Sequence, residues 1–192
     1  MGNRHTASEL VRLAREVMAD ATPVPTDVAH LTAISRKSLS VPARYAVQNL
    51  KQYLTGKSIL DYGCGRGGDV FQLQELGYDV LGYDPHWKPQ MPKGTFDFVL
   101  MSYVLNVIAS PKDRAKALQG AFAKTRKHLL VTIRIDKPAE TRGWTKHKDG
   151  YLTGSGTFQA FVPDADMIDF IKASLPSAKV KMLKRGMFLI SK

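Results

Sequence analysis

The sequence predicts an α/β fold, a mostly parallel Rossmann-like sheet with helices on both faces, and three observations carry that expectation. Short apolar runs at residues 58–61, 80–83, 96–101 and 128–133 are each too brief for a buried helix. Stretches with helical spacing at 69–76 and 112–127 separate most of them, and strands alternating with helices imply parallel pairing. The chain then changes character: residues 179–183 and 187–190 flank Lys184-Arg185-Gly186, the pattern of a C-terminal antiparallel hairpin.

The elements follow in order. Leu10, Leu13, Ala14, Val17 and Met18 recur at helical spacing over residues 8–20, and Thr22-Pro23-Val24-Pro25 ends that pattern. A second short helix is expected over 27–35. A third is expected over 41–54, with Ser40 as N-cap, Pro42 in the first turn and Gly56 beyond the last. These make a helical extension over 1–56, ahead of a core over 57–192, within one compact unit. Between Asp84 and Phe96 lie only about a dozen residues. A helix, an edge strand and a second helix would need about thirty. The sheet is therefore expected to lack one edge strand and to hold six.

Composition bounds the function. A chain of 192 residues, 44% hydrophobic, can bury a sizeable core. Cys64 is its single cysteine, which excludes an intrachain disulfide and points to a reducing, cytoplasmic setting. No run approaches the ~18 apolar residues of a membrane span. The net charge of +11 suggests a polyanionic partner, with nucleic acid weighed above a merely basic surface. Two basic groups stand out, Lys124, Arg126, Lys127 and His128, then Lys137, Arg142, Lys146, His147 and Lys148. Nothing in the sequence sets the oligomeric state.

The stretch ILDYGCGRGGDV, residues 59–70, places an acid at the end of the first apolar run and glycines at 63, 65, 67 and 68. A strand running into a glycine-rich turn and then a helix presents backbone N–H groups to a ligand beyond the carboxyl end of the sheet. A dinucleotide site would read G-x-G-x-x-G. Here Asp61 stands two residues before Gly63, and a carboxylate there suits a cationic amine better than a pyrophosphate. S-adenosylmethionine carries such an amine and a sulfonium. Asp61, Tyr62, Gly63, Cys64, Gly65 and Asp69 are the expected cofactor contacts in this turn, and a valine at 63 is expected to stand in the ligand's place. One strand later Asp84, followed by Pro85, can take both ribose hydroxyls. Ser102 and Tyr103, after the third run, face the methyl donor. Trp87 either stacks on the adenine or packs on the sheet edge.

These residues resemble the class I S-adenosylmethionine-dependent methyltransferases. More narrowly they resemble a bacterial group described as DNA phosphorothioation-associated methyltransferases. The narrower likeness rests on Thr32-Ala33-Ile34, Arg36, Leu39-Ser40, Pro42, Asp61-Tyr62-Gly63-Cys64-Gly65-Arg66-Gly67, Gly82-Tyr83-Asp84-Pro85, Tyr103-Val104-Leu105-Asn106-Val107-Ile108 and Gly156-Thr157-Phe158-Gln159. It spans roughly 28–170. Gly68 stands where that group carries an acid. The resemblance implies methyl transfer from S-adenosylmethionine on a Rossmann-like sheet and fixes a reaction class more firmly than a substrate.

The expected chemistry is in-line transfer of the sulfonium methyl to a nitrogen or oxygen, the protein supplying position and, where needed, a proton acceptor. Tyr103 and Asn106 are the catalytic candidates. Asn106 either faces the transferring group or holds the turn. Cys64 lies inside the cofactor turn and reads as filler rather than nucleophile. His86 and His147 are too isolated for a metal site, so no metal is expected. Met101-Ser102-Tyr103-Val104 replaces the Asp/Asn/Ser-Pro-Pro-aromatic motif of the familiar exocyclic-amine DNA enzymes. Residues 134–156 are expected to form a long acceptor-side loop, in which Arg142, Trp144, Lys146 and Lys148 meet nucleic acid, DNA favoured over RNA, with Thr157, Phe158 and Gln159 behind. The alternatives are a methyltransferase of a small molecule or protein, and a non-catalytic S-adenosylmethionine-binding module.

Overall fold

The computed structural model describes residues 26–192; the helix expected over 8–20 lies outside them. A 3-10 turn, Thr26–Thr32, replaces the short helix expected over 27–35. Then come α1 (Val41–Asn49), α2 (Lys51–Leu54), β1 (Ser58–Tyr62), α3 (Gly68–Glu75), β2 (Asp79–Tyr83), β3 (Phe96–Ser102), α4 (Pro111–Lys124) and β4 (Thr125–Thr132). After these run β5 (Thr145–His147), β6 (Gly150–Leu152), β7 (Phe158–Ala160), α5 (Asp164–Ser174), β8 (Lys179–Lys184) and β9 (Met187–Ser191). The main sheet has the six strands expected, in the order β2-β1-β3-β4-β9-β8. Its first four strands are parallel, and β9 and β8 close it as the expected antiparallel hairpin. No helix among the described residues is long and apolar enough to cross a membrane.

Alternation along β3 builds two cores. Val99 and Met101 point to the side covered by α4 and α5, where Leu118, Ala121, Met167 and Ile171 meet them. Phe98 and Leu100 point to the side covered by α1, α2 and α3, against Ala46, Leu54 and Leu73. Ser40 caps α1 as expected, its Oγ accepting from the Ala43 N–H at 3.3 Å. The single helix expected over 41–54 is split at Leu50, whose φ of −122° swings its side chain into the second core. The helix expected over 112–127 stops at Lys124. Thr125 is already extended and pairs with Phe96, so residues 125–127 open β4 instead.

Within the segment read as a loop, 134–156, two short strands form at 145–147 and 150–152. β5, β6 and β7 form a three-stranded antiparallel unit beside the main sheet. Its β5–β6 turn carries Lys148 at φ 50° and Asp149, whose carboxylate takes both Nη atoms of Arg114, with Nη2–Oδ1 at 2.9 Å. Arg114 is buried, and its Nε donates to the Ile108 carbonyl at 2.5 Å, so one α4 side chain fastens the small sheet to the loop after β3.

Candidate active site

The glycine turn forms where β1 ends. The N–H groups of Gly63 and Cys64 both donate to the Tyr83 carbonyl, at 2.7 and 3.0 Å, and this binds the turn to β2. Gly63 has φ 83° and Gly65 φ 54°, both in the left-handed region that favours glycine. Their hydrogens face the chain's own segments. A Cβ on Gly63 would overlap Val104 Cγ2, and one on Gly65 would come within 3.1 Å of the Ala33 Cβ. A side chain at 63 would therefore strike the loop after β3, beside the cleft that Gly63 lines.

Three carboxylates converge here. Asp61 is 3% exposed, and no described residue donates a hydrogen bond to it. Burial, then Asp69 and Asp84, push its carboxyl up to about 8. Asp69 Oδ1 accepts from the Ser40 N–H at 2.7 Å, tying the start of α1 to the start of α3. Asp84 Oδ2 accepts from Gly65 N–H at 3.1 Å, while Oδ1 accepts from the N–H groups of His86 and Trp87, both at 2.9 Å. Asp84 is thus pre-positioned by three backbone donors, and its carboxylate keeps lone-pair capacity for a further donor. Asp84→Ala is expected to weaken cofactor binding ten- to a hundredfold, about 1.5–3 kcal/mol, and also to lower the melting temperature as the turn loosens. Calorimetry beside a thermal melt measures both; an affinity equal to wild type would remove Asp84 from the site.

Tyr103, one residue past β3, holds φ 60°, and its N–H donates to the Thr132 carbonyl at 2.9 Å. Burial raises its phenol above the ordinary value, against the opposing pull of Arg134 and Arg36. Asn106 is 1% exposed and fully engaged. Its Nδ2 donates to the carbonyls of Ala160 at 2.7 Å and Arg134 at 3.2 Å, and its Oδ1 accepts from Arg134 N–H at 2.9 Å. Of the two roles open to it, the structure uses it to hold the turn, fixing β7 against the end of β4. Cys64 packs on Gly82, and burial, with Asp61 and Asp84, pushes its thiol up to about 12, a filler's environment.

Trp87 does not face the cleft. The Arg66 guanidinium covers its ring at 3.9 Å from the centroid, and its Nε1 donates to the His30 carbonyl at 3.4 Å. It packs at the sheet edge, while the rings of His30 and His86 lie nearly parallel on the cleft wall, 3.8 Å apart.

The cleft itself measures about 1350 Å³ and has two ends of opposite charge. Asp61, Asp69 and Asp84 line one end with Tyr62, Gly63, Cys64, Gly65, Pro85 and Ser102; Arg134, Arg142 and Arg185 line the other with Asp136, and Arg36 lines the cleft beside Gly68. Arg185 is paired with Asp136 at 2.6 Å; no ion pair joins Arg36, Arg134 or Arg142 to a described carboxylate. Of the residues expected on the acceptor side, Arg142, Trp144 and Gln159 line the cleft. Lys146, Lys148 and Phe158 do not line it. Lys146 lies over the Tyr151 ring at 4.9 Å, Lys148 occupies the hairpin tip, and Phe158 is buried beneath Arg114 at 5.3 Å. Thr157, expected behind the loop, joins a hydroxyl cluster whose other members, Thr153 and Ser155, sequence reasoning missed; Thr153 Oγ1 lies 2.9 Å from Ser155 Oγ and 2.7 Å from Thr157 Oγ1. Three hydroxyl residues within five positions were its only visible sign.

A buried carboxylate without a donor, bare glycine backbone beside it and an acid at the end of β2 fit S-adenosylmethionine, a ligand with an ammonium, a sulfonium and a ribose diol. The profile of a methyltransferase domain matches residues 38–171. The chain belongs to that methyltransferase family. No curated protein sequence matches it. Among solved structures with this fold, the sugar N-methyltransferase KedS8 from Streptoalloteichus sp ATCC 53650 shares 12% identity at TM-score 0.55, over 100% of this chain and 95% of that one. Magnesium protoporphyrin IX methyltransferase ChlM from Synechocystis PCC 6803, with bound SAH, shares 13% at TM-score 0.53, over 96% and 95%. The CcbJ methyltransferase from Streptomyces caelestis shares 12% at TM-score 0.51, over 86% and 94%.

Proposed function

We propose that this methyltransferase uses S-adenosylmethionine to methylate nucleic acid, DNA before RNA, at nitrogen or oxygen. The narrower likeness to the phosphorothioation-associated group agrees with a DNA acceptor. The observation that carries the reading is the charge division of the cleft. When bound, the cofactor supplies an electrophilic methyl group. Asp61 takes its ammonium and Asp84 its ribose, while Tyr62, Gly63, Cys64, Gly65, Asp69, Pro85, Ser102 and Tyr103 shape the wall around it. Among the described residues no carboxylate pairs with Arg36, Arg134 or Arg142, and these arginines meet phosphates; Trp144 offers a ring to an unstacked base. The ring is braced by Phe161 at 6.1 Å and Tyr151 at 6.4 Å. Tyr103 and Asn106 set the transfer geometry, the first at the donor and the second through β7.

Changing Arg36, Arg134 and Arg142 together to glutamine is expected to leave cofactor affinity intact. It should lower nucleic-acid affinity and flatten the salt slope of log K by roughly 0.7–0.9 for each phosphate that is no longer neutralised. Filter binding across a salt series measures this; an unaltered slope would sink the reading. The hydroxyl cluster favours a second, a compact polyhydroxylated acceptor. That reading gains if tritiated methyl enters low-molecular-weight material and not nucleic acid. No transfer in either pool would leave a binding module.

A further inference from the structure

Gln159 carries an unused polar group at the acceptor end of the cleft. The residue is 8% exposed, it lines the cleft, and no described residue donates to its buried Oε1. A buried carbonyl without a donor is costly, and native sites keep one where a ligand supplies the partner. Its placement is built in. Along β7 successive side chains alternate, so Thr157 and Gln159 face the cleft while Phe158 and Ala160 turn away. Asn106 grips the carbonyl of Ala160 at 2.7 Å, locking the strand next to Gln159 to the loop that follows β3.

We infer that Gln159 reads the methyl acceptor, its Oε1 accepting a hydrogen bond from the atom to be methylated, and that this atom is a nitrogen bearing hydrogen. The inference rests on the methyltransferase reading and narrows its acceptor. An amide oxygen can hold a proton in a hydrogen bond but cannot remove it. An alcohol or phenol acceptor would need a base. Among the described residues, the carboxylate at this end is Asp136, which is paired with Arg185, and the raised phenol of Tyr103 stays protonated near neutral pH. A nitrogen needs no prior deprotonation. Its N–H donates to Gln159 while its lone pair forms the new N–C bond; the methyl C–S bond breaks with its electron pair leaving on sulfur, and the surplus proton passes to water.

The test gives the full chain tritiated S-adenosylmethionine with two pools, heat-denatured DNA plus total RNA, and the low-molecular-weight extract of the expression host, and identifies labelled products by mass spectrometry. Label on nitrogen in either pool is expected. Label on oxygen, sulfur or carbon overturns the inference, and so does no label in either pool. N-methylation confined to the small-molecule pool overturns the nucleic-acid reading but leaves this one standing. Gln159→Met, of similar length without the carbonyl, should lower kcat/KM about ten- to a hundredfold with calorimetric cofactor affinity unchanged. Gln159→Glu, which keeps an acceptor oxygen, should recover part of it. A methionine variant as active as wild type overturns the assignment, as does one that loses cofactor affinity in step with activity.

Discussion

Replacing Asp61 with asparagine is expected to lower cofactor affinity roughly a hundred- to a thousandfold while making the free protein more heat-resistant at alkaline pH. The two effects have one cause. Burial and the neighbouring Asp69 and Asp84 push the Asp61 carboxyl up to about 8 from an ordinary value of 3.8. The folded chain therefore keeps a proton that the unfolded chain has released. Stability from this group is fully present below about pH 4 and is lost as pH rises towards 8, by an amount on the order of several kcal/mol. Asparagine has no proton to lose and removes that slope. The cofactor's ammonium does the opposite to wild type: it favours the ionised carboxylate, so binding below pH 8 expels a proton and affinity should rise with pH until it levels near 8. In the variant the ammonium meets a neutral amide in a dry site, and loss of a buried charge partner costs about 3–5 kcal/mol. Calorimetry over pH 6–9 and thermal melts of the free protein report the two effects separately. Equal affinity in variant and wild type, or a melting temperature lowered by the substitution at pH 9, would contradict the assignment.

The parts of this architecture that could be read from sequence are those fixed by local pattern. β1 and the glycine turn announce themselves because the strand needs an apolar run and the turn needs positive φ, and the missing edge strand follows from the few residues between Asp84 and Phe96. The small sheet gave no such signal. Its strands are three residues each, and it is held by Arg114 gripping Asp149 35 residues away, a pairing that no local pattern encodes. The substrate residues went astray for the same reason. Without knowing that 158–160 is a strand, Phe158 and Gln159 look equivalent; within the strand, alternation must send them to opposite faces. Trp87 was equally open between the adenine face and the sheet edge. What decides between them is Arg66, which covers the tryptophan ring, a contact no local pattern encodes.

Gly63→Ala is expected to destabilise the protein by about 2–5 kcal/mol, and shrinking Val104 should return much of it. The cost has two parts. A Cβ at φ 83° strains the backbone by about 1–2 kcal/mol whatever surrounds it, and overpacking against Val104 Cγ2 adds about 1–3 kcal/mol. Only the second part depends on the neighbour. Val104→Ala alone should cost about 1–2 kcal/mol, because the partly buried valine packs on the first core. In the double variant the new methyl occupies the space that the valine methyl leaves, so the two costs should fall short of additivity by about 1–3 kcal/mol. Cofactor affinity separates this account from the one that places ligand at Gly63. If the glycine is there to admit the loop after β3, Gly63→Ala weakens binding by displacing that loop, and Val104→Ala restores it. If ligand lies against Gly63, the alanine methyl obstructs binding whether or not Val104 is trimmed, and additive stabilities with unrescued affinity in the double variant would decide for the ligand.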